Sequence, residues 1–161
     1  TADYMAPEQI NFDEITLKTD MWSVGVILHI LVSGISPFYD DCEQQTRTNV
    51  IQGFDFDFEN RFDYEEFDYV SDEAKLLIDN LLVKKPISKR FSASQCINDN
   101  FIKINLCLGE DGKMNNRTLS SNMRRNLKKL NARKKWRVLG KMVEGMSKLQ
   151  KNISIKDLQI S

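Results

Sequence analysis

Apolar residues crowd into one stretch, Met21 to Val32, which no charged side chain interrupts. The pattern predicts a helix from Met21 to about Ser33, capped by Thr19 or Asp20 and stopped by Gly34 and Pro37. Apolar on every face, it asks for protein all around it, and so for a domain larger than the rest of this chain supplies. A second helix begins at Ser71, because Ala74, Leu77, Ile78, Leu81 and Leu82 recur at the 3.6-residue period, with Glu73 in the first turn where the dipole favours it. Pro86 closes that segment. Ser92 or Ser94 opens another helix that reaches about Ile102, and Cys42 to Gln52 reads as a more polar surface helix. Thr1 to Ile10 is irregular, with Pro7 placed to begin a short helix and Glu8 behind it in the first turn. Asp13 to Lys18 reads as a polar loop. Phe54 to Tyr69 is rich in aromatics and acids; its start alternates like a short strand, but the acids that follow make it a loop whose rings pack beneath it. His29, the only histidine, stands mid-helix among apolar residues and reads as a core or interface residue.

Gly109-Glu110-Asp111-Gly112 marks a hinge, and composition changes there. The 161 residues carry 23 bases and 23 acids, a formal charge of zero. That balance hides two halves: residues 1–111 hold 21 acids and 9 bases, a net −12, and residues 112–161 hold 14 bases and 2 acids, a net +12. From Lys113 to Lys141 there are eleven bases without one acid. At about 100° per residue, Leu139, Val143 and Met146 fall within about 80° beside Trp136, and Arg133, Lys134, Arg137, Lys141, Lys148 and Lys151 fall on a separate arc. The pattern is a basic amphipathic helix, which suits calmodulin, an anionic membrane or nucleic acid. No leucine zipper or helix-turn-helix accompanies it, and it has neither a lipidation signal nor a wide apolar face, so neither a nucleic-acid nor a membrane partner is expected.

Cys42, Cys96 and Cys107 show no paired spacing, which excludes a disulfide framework and a structural zinc site and points to reduced thiols in the cytoplasm. No metal site is expected. The sequons Asn116-Arg117-Thr118 and Asn152-Ile153-Ser154 then carry no weight. The longest apolar stretch falls well short of the ~20 residues of a membrane span.

One ordered series of residues goes further. Ala6-Pro7-Glu8, then Asp20-Met21-Trp22-Ser23-Val24-Gly25, then Ser33-Gly34-Ile35-Ser36-Pro37-Phe38, and finally Arg90 between two helices, resembles the lower half of the large lobe of a eukaryotic protein kinase. Taken singly, Pro7-Glu8 is an ordinary helix start and Asp20 an N-cap; the order and spacing carry the resemblance. Phe67 to Lys75, Leu81 to Lys85 and Ser92 to Cys96 are most similar to myosin light chain kinases, with the titin and twitchin kinases next. Resemblance covers residues 1 to about 103 and about 127 to 149.

The resemblance implies a mainly α fold, the C-terminal half of the large lobe of a protein-kinase-like fold over residues 1–108. A linker (109–126), a calmodulin-binding autoinhibitory segment (127–151) and a tail (152–161) follow. It implies that Thr1, Ala2, Asp3 and Tyr4 form the loop that receives substrate, with the Thr1 hydroxyl orienting the catalytic aspartate. Glu8 pairs with Arg90 in the interior, although one extra residue after Val83 leaves Lys89 as a competitor. Asp20 accepts backbone N–H groups of the catalytic loop, and Ala6, Pro7, Trp22 and Gly25 hold structural positions. Calmodulin would grip Trp136 and Leu149 as anchors with Val143 between them, beside Gly140 and the bases Arg133, Lys134, Lys135, Arg137 and Lys141. Asp40, Asp41, Glu43, Glu65 and Glu66 are candidates to meet that tail or a basic substrate.

The implied parent reaction is transfer of phosphate from ATP, with Mg2+, to a serine of myosin regulatory light chain. The glycine-rich loop, strand lysine, catalytic-loop aspartate and D-F-G aspartate that this chemistry needs are not in the sequence. The chain alone is therefore expected to bind no ATP and to carry no catalytic residue. Two alternatives stay open: a calmodulin-binding module without catalysis, and the kinase segment of a titin- or twitchin-like structural muscle protein. The sequence departs from the family at Ala2-Asp3-Tyr4, which lacks the usual proline, and at Asp99-Asn100-Phe101, which stands where His-Pro-Trp usually closes the lobe.

Overall fold

The structure, a computed structural model, describes residues 2–54, 62, 65–105, 124–126, 128 and 131–132. The chain divides between Asn126 and Leu127 into two units. The first contains six α-helices among its described residues: α1 (Pro7–Ile10), α2 (Leu17–Ser33), α3 (Glu43–Gln52), α4 (Asp72–Leu81), α5 (Ala93–Ile97) and α6 (Asn100–Asn105). Single 3-10 turns lie at Ala2–Tyr4, Glu65–Phe67 and Ile87–Lys89.

Helix α2 is the axis of this unit, and it starts earlier than its apolar run. Its N-cap is Thr16, not Thr19 or Asp20. The Thr16 hydroxyl accepts from the Lys18 N–H (3.2 Å), and Thr19 Oγ1 accepts from the Thr16 N–H (3.1 Å). This reciprocal capping box satisfies free donors of the first turn, so Leu17 and Lys18 join the helix and shorten the expected polar loop. Asp20 is left in the first turn, where the dipole favours a carboxylate. At the other end Gly34 takes a left-handed conformation (φ +81°) and gives its N–H to Ile30 O at 2.8 Å, the stop expected of a glycine there.

Ser71 caps α4, its hydroxyl accepting from the Ala74 N–H, and the apolar stripe Ala74, Leu77, Ile78, Leu81 and Leu82 is buried as its period requires. That stripe lies against α2 at Gly25. A Cβ there would stand 2.8 Å from Leu81 Cβ and from Leu82 Cδ2, so the missing side chain sets how closely the two helices approach. Met21, Leu77 and Leu81 form a core onto which Leu28, Phe91, Cys96, Phe101 and Ile102 pack.

The single helix expected from Ser92 or Ser94 is two. Ser92 caps α5 with Gln95 as its capping-box partner. The chain then breaks at Asn98–Asp99, and Asp99 Oδ1 accepts from the Phe101 N–H at 2.8 Å. Asp99 thus caps α6, and a short side chain that bonds the backbone ahead of it ends one helix and begins the next.

Burial of α2 is not complete on every face. Val24 and Ile27 are exposed, and Leu17 shares their side of the helix at seven- and three-residue spacing. Phe12 and Ile15, just before α2, are exposed as well. On its covered side the helix meets an aromatic cluster. Trp22 stacks on Phe38 with centroids 5.3 Å apart, Phe38 meets Phe54, and Phe54 and Phe67 both turn edges to His29, with Phe62 between them. Phe54, Phe62 and Phe67 of the aromatic run therefore pack together with His29, whereas Tyr69 is exposed; residues 55–61, with their strand-like alternation, lie outside the described residues.

His29 sits at the centre of this cluster, 2% exposed. Its Nδ1 lies 3.1 Å from Ile35 O and 3.3 Å from the Ser33 hydroxyl. Burial pulls its pKa down to about 4, and the hydrogen bond to Ile35 O opposes this only weakly. The imidazole is therefore neutral when folded, whereas in the unfolded chain it titrates near 6.5. The unfolded state binds the extra proton between these values, so stability contributed by neutral His29 is complete above about pH 6.5 and falls as pH drops toward 4, by roughly 3 kcal/mol in all. Urea unfolding at pH 7.5 and 5.0 should show roughly 2 kcal/mol of this loss, and His29→Phe should flatten the profile; equal pH dependence in both proteins would disprove the assignment.

Candidate functional site

Helix α1 exists to hold one carboxylate. Ala6, fully buried, gives its N–H to Gln9 Oε1 (2.8 Å), Pro7 takes the first helical position, and Glu8 follows at 2% exposure. A carboxylate so buried needs a cation, and Arg90 supplies it. Nη1 donates to Glu8 Oε1 at 2.6 Å and Nη2 to Oε2 at 3.1 Å, a two-pronged contact. The remaining donors are used too: Nη1 also reaches Lys18 O (3.0 Å) and Nε reaches Val83 O (2.9 Å). The guanidinium carbon lies 5.1 Å from the centre of the Trp22 ring, within cation–π range. Burial pushes the Glu8 carboxyl up, but hydrogen bonds and charge from Arg90, with the Thr19 hydroxyl, outweigh it and hold the pKa below the ordinary value.

Lys89 does not compete for this position. It is exposed, in the last place of the turn Ile87–Lys89, and Arg90 follows as that turn's cap. Lys18 adds a second tie that the sequence did not suggest, because its Nζ donates to Ser88 O while its own carbonyl receives Arg90. The start of α2, the turn before α5 and helix α1 are thereby pinned together.

The same frame positions the turn Ala2–Tyr4. Ser23 Oγ, nearly two turns into α2, donates to Tyr4 O at 2.8 Å, and Ser36 Oγ donates to Asp3 Oδ1. Ala2 is buried, and Tyr4 has its pKa raised by burial and then by the neighbouring Asp3 charge. Helix α3 packs against this turn. At the start of α3 the acids are engaged locally: Asp40 Oδ1 accepts from the Cys42 N–H, Asp41 from the Tyr39 hydroxyl and Glu43 from Arg47. Glu65 and Glu66 lie in the turn Glu65–Phe67.

The structure thus brings together Ala2, Asp3, Tyr4, Ala6, Pro7, Glu8, Trp22 and Arg90, with Gly25 at the contact of α2 with α4. Asp20 is exposed on the first turn of α2. Thr1 and the whole calmodulin-binding set from Arg133 to Leu149 lie outside the described residues. Sequence reading missed Ser23, Ser36, Lys18 and Thr16. A Thr-x-x-Thr spacing signalled Thr16, whereas the others bond across 19 to 70 residues, beyond any local pattern. Chemically the arrangement shapes and anchors a loop. Among the described residues no group of three or more His, Cys, Asp or Glu side chains is placed to hold a metal. No helix among them is long and apolar enough to cross a membrane.

Comparison with known proteins bears on this frame. The family model described as "Protein kinase domain" matches residues 1–102. Myosin light chain kinase 2 of skeletal and cardiac muscle from Oryctolagus cuniculus is 41% identical over 137 residues, 85% of this chain and 21% of that protein. The smooth-muscle myosin light chain kinase of Gallus gallus is 39% identical over 150 residues, 92% of this chain and 7% of that protein. The chain thus spans 21% of the first of these relatives and 7% of the second. The autoinhibited serine kinase domain of the giant muscle protein titin matches with a TM-score of 0.57 and 29% identity, over 80% of this chain and 37% of that one.

Removing one partner of a buried ion pair strands the other. Arg90→Met should therefore lower unfolding stability by about 3–5 kcal/mol, and Glu8→Gln with Arg90→Met together should cost less than the two separate losses added. Urea titration of the four proteins checks this, and strict additivity would refute a direct pair.

Proposed function

We propose, from the premise that this chain belongs to the protein kinase family, that it is the lower large-lobe portion of a Ca2+/calmodulin-regulated serine/threonine kinase acting on myosin regulatory light chain. The observation that carries the reading is the turn Ala2–Tyr4, fixed by Ser23 and Ser36 on a base locked by Glu8 and Arg90. A loop built to receive a peptide must keep its shape while substrates come and go, and this one is anchored at both its backbone and its acid. The named relatives supply the substrate class, since both are myosin light chain kinases near 40% identity. A titin-like muscle protein is the second reading, supported by the structural match at 29% identity.

In the complete enzyme, ATP and Mg2+ would be held by the glycine-rich loop, lysine and aspartates that this sequence lacks. This chain contributes the receiving loop and the regulatory segment. Arg133, Lys134, Lys135, Arg137 and Lys141 would meet the acidic rim of calmodulin, while Trp136, Val143 and Leu149 enter its apolar grooves and Gly140 lies between the anchors. Asp40, Asp41, Glu43, Glu65 and Glu66 give the body the acidity that a basic tail or substrate needs. Free Cys42 and Cys96 suit a reducing cytoplasm. Nucleic acid and membranes have no part in this reading.

The test is fluorescence. Trp22 is fully buried, so a further blue shift reports Trp136. Adding calmodulin should shift the emission only with Ca2+, and Trp136→Phe should abolish the change. A shift with anionic vesicles or oligonucleotides and none with calmodulin refutes the switch. The chain alone should transfer no labelled phosphate to a light-chain peptide; measurable incorporation would contradict its assignment as a non-catalytic portion.

A further inference from the structure

The loop between α1 and α2 carries large apolar side chains where local geometry gives them nothing. Helix α1 ends in a left-handed cap: the Asp13 N–H returns to Glu8 O at 2.8 Å, a bond that asks the residue before it for positive φ. That residue is Phe12, at φ +60° and 96% exposed, in a place where glycine would be unstrained and asparagine tolerated. Ile15 precedes Thr16, the N-cap of α2, a position from which an apolar side chain ordinarily packs onto the fourth residue of the helix. Here the fourth residue is the exposed Asp20, and Ile15 stays 66% exposed. Leu17, the first residue of α2, is 93% exposed. Phe12 and Leu17 are five residues apart, so the three side chains spring from a stretch of at most about 17 Å. Single exposed apolar residues are ordinary, but three within six positions, one of them on strained backbone, mark a surface kept open for contact.

The charges beside them define what that contact is. Asp13 and Glu14 lie between Phe12 and Ile15, both exposed, and neither forms an ion pair with a described residue. Lys18, the base that follows, is engaged: its Nζ donates to Ser88 O. Carboxylates in this position repel anionic lipid headgroups and the phosphates of nucleic acid, and attract a polypeptide whose apolar side chains are flanked by bases. We propose that the loop from Phe12 to Leu17 is a docking surface for a partner protein, gripped through a short segment of bulky apolar residues flanked by lysine or arginine. Phe12, Ile15 and Leu17 supply the apolar contact, and Asp13 and Glu14 meet the bases at its rim. The hydrogen-bonded cap fixes the backbone at Phe12 before the partner arrives, so less freedom is lost on binding. The surface uses none of the residues of the turn Ala2–Tyr4, and it requires neither ATP, Mg2+ nor calmodulin.

The test uses the full chain and three labelled twelve-residue peptides: one alternating lysine with leucine and phenylalanine, one with glutamate for every lysine, and one with serine for every apolar residue. The first should bind, and the others about 10-fold more weakly or less, the scale of losing a buried interface anchor. Phe12→Asn suits the left-handed backbone and Leu17→Gln suits the helix, so each variant should unfold no earlier in urea than the parent while weakening the first peptide about 10-fold. Asp13→Asn with Glu14→Gln should weaken it less and flatten its dependence on salt. A parent that binds no peptide, or all three alike, overturns the proposal, as does unchanged affinity in Phe12→Asn and Leu17→Gln. Sedimentation showing a parent that self-associates and a monomeric Phe12→Asn assigns the surface to a second copy and overturns the separate partner. Phosphatidylserine vesicles bound by the parent and released by the same variants overturn it in favour of a membrane.

Discussion

Two charges taken out of water, Glu8 and Arg90, hold the first unit together. Each loses several kcal/mol of hydration, and attraction alone does not guarantee repayment. The repayment is geometric. Arg90 spends its fork on both carboxylate oxygens and its other donors on the carbonyls of Lys18 and Val83, with Trp22 beneath the guanidinium. A lysine could serve one such acceptor well, not four oxygens arriving from α1, α2 and the segment before Pro86. The pair acts less as a source of net stability than as a register mark, because only one arrangement of these elements satisfies it.

Helix α2 shows what the pair must restrain. One side of it lies on α4 at Gly25, where the backbones are as close as side chains permit; another carries the aromatic cluster around His29; a third bears Val24 and Ile27 in solvent. A helix with such an open apolar side could bury itself better by rolling, at ~25 cal/mol per Å2 of surface removed from water. Rolling would pull Ser23 from Tyr4 and the Lys18 carbonyl from Arg90. The polar contacts are therefore what keep the receiving turn in place against a pull toward apolar burial.

Legibility from sequence followed the range of the interaction. Ser71 and Ser92 were readable because a cap acts within three residues and precedes its own apolar period. Thr16 was hidden by the longer apolar run behind it, since Leu17 and Lys18 look like loop until the Thr16–Thr19 box is noticed. Asp99 was missed because the apolar spacing continues across it, and periodicity cannot see a backbone break. Nothing local pairs Glu8 with Arg90 across 82 residues; only the ordered resemblance to a family did so, and it also ranked Arg90 above Lys89. Ser36 with Asp3 and Asn126 with Val32 had no signal of either kind. They are short polar residues whose partners are set by the finished fold.

The two halves of the zero net charge acquire different meanings once the acids are located. At physiological salt an exposed charge acts over about 8 Å, so −12 and +12 do not attract as wholes. Much of the acidity near α3 is already answered at close range, Asp40 by a backbone N–H, Asp41 by Tyr39 and Glu43 by Arg47. Glu8, the most deeply buried of the described acids, is answered by Arg90. What is left for a basic segment is therefore local, and a described contact that returns from the basic half to the body is uncharged, the Asn126 amide on the Val32 carbonyl. A neutral hydrogen bond loses little to salt and holds only one position, whereas charges tolerate many.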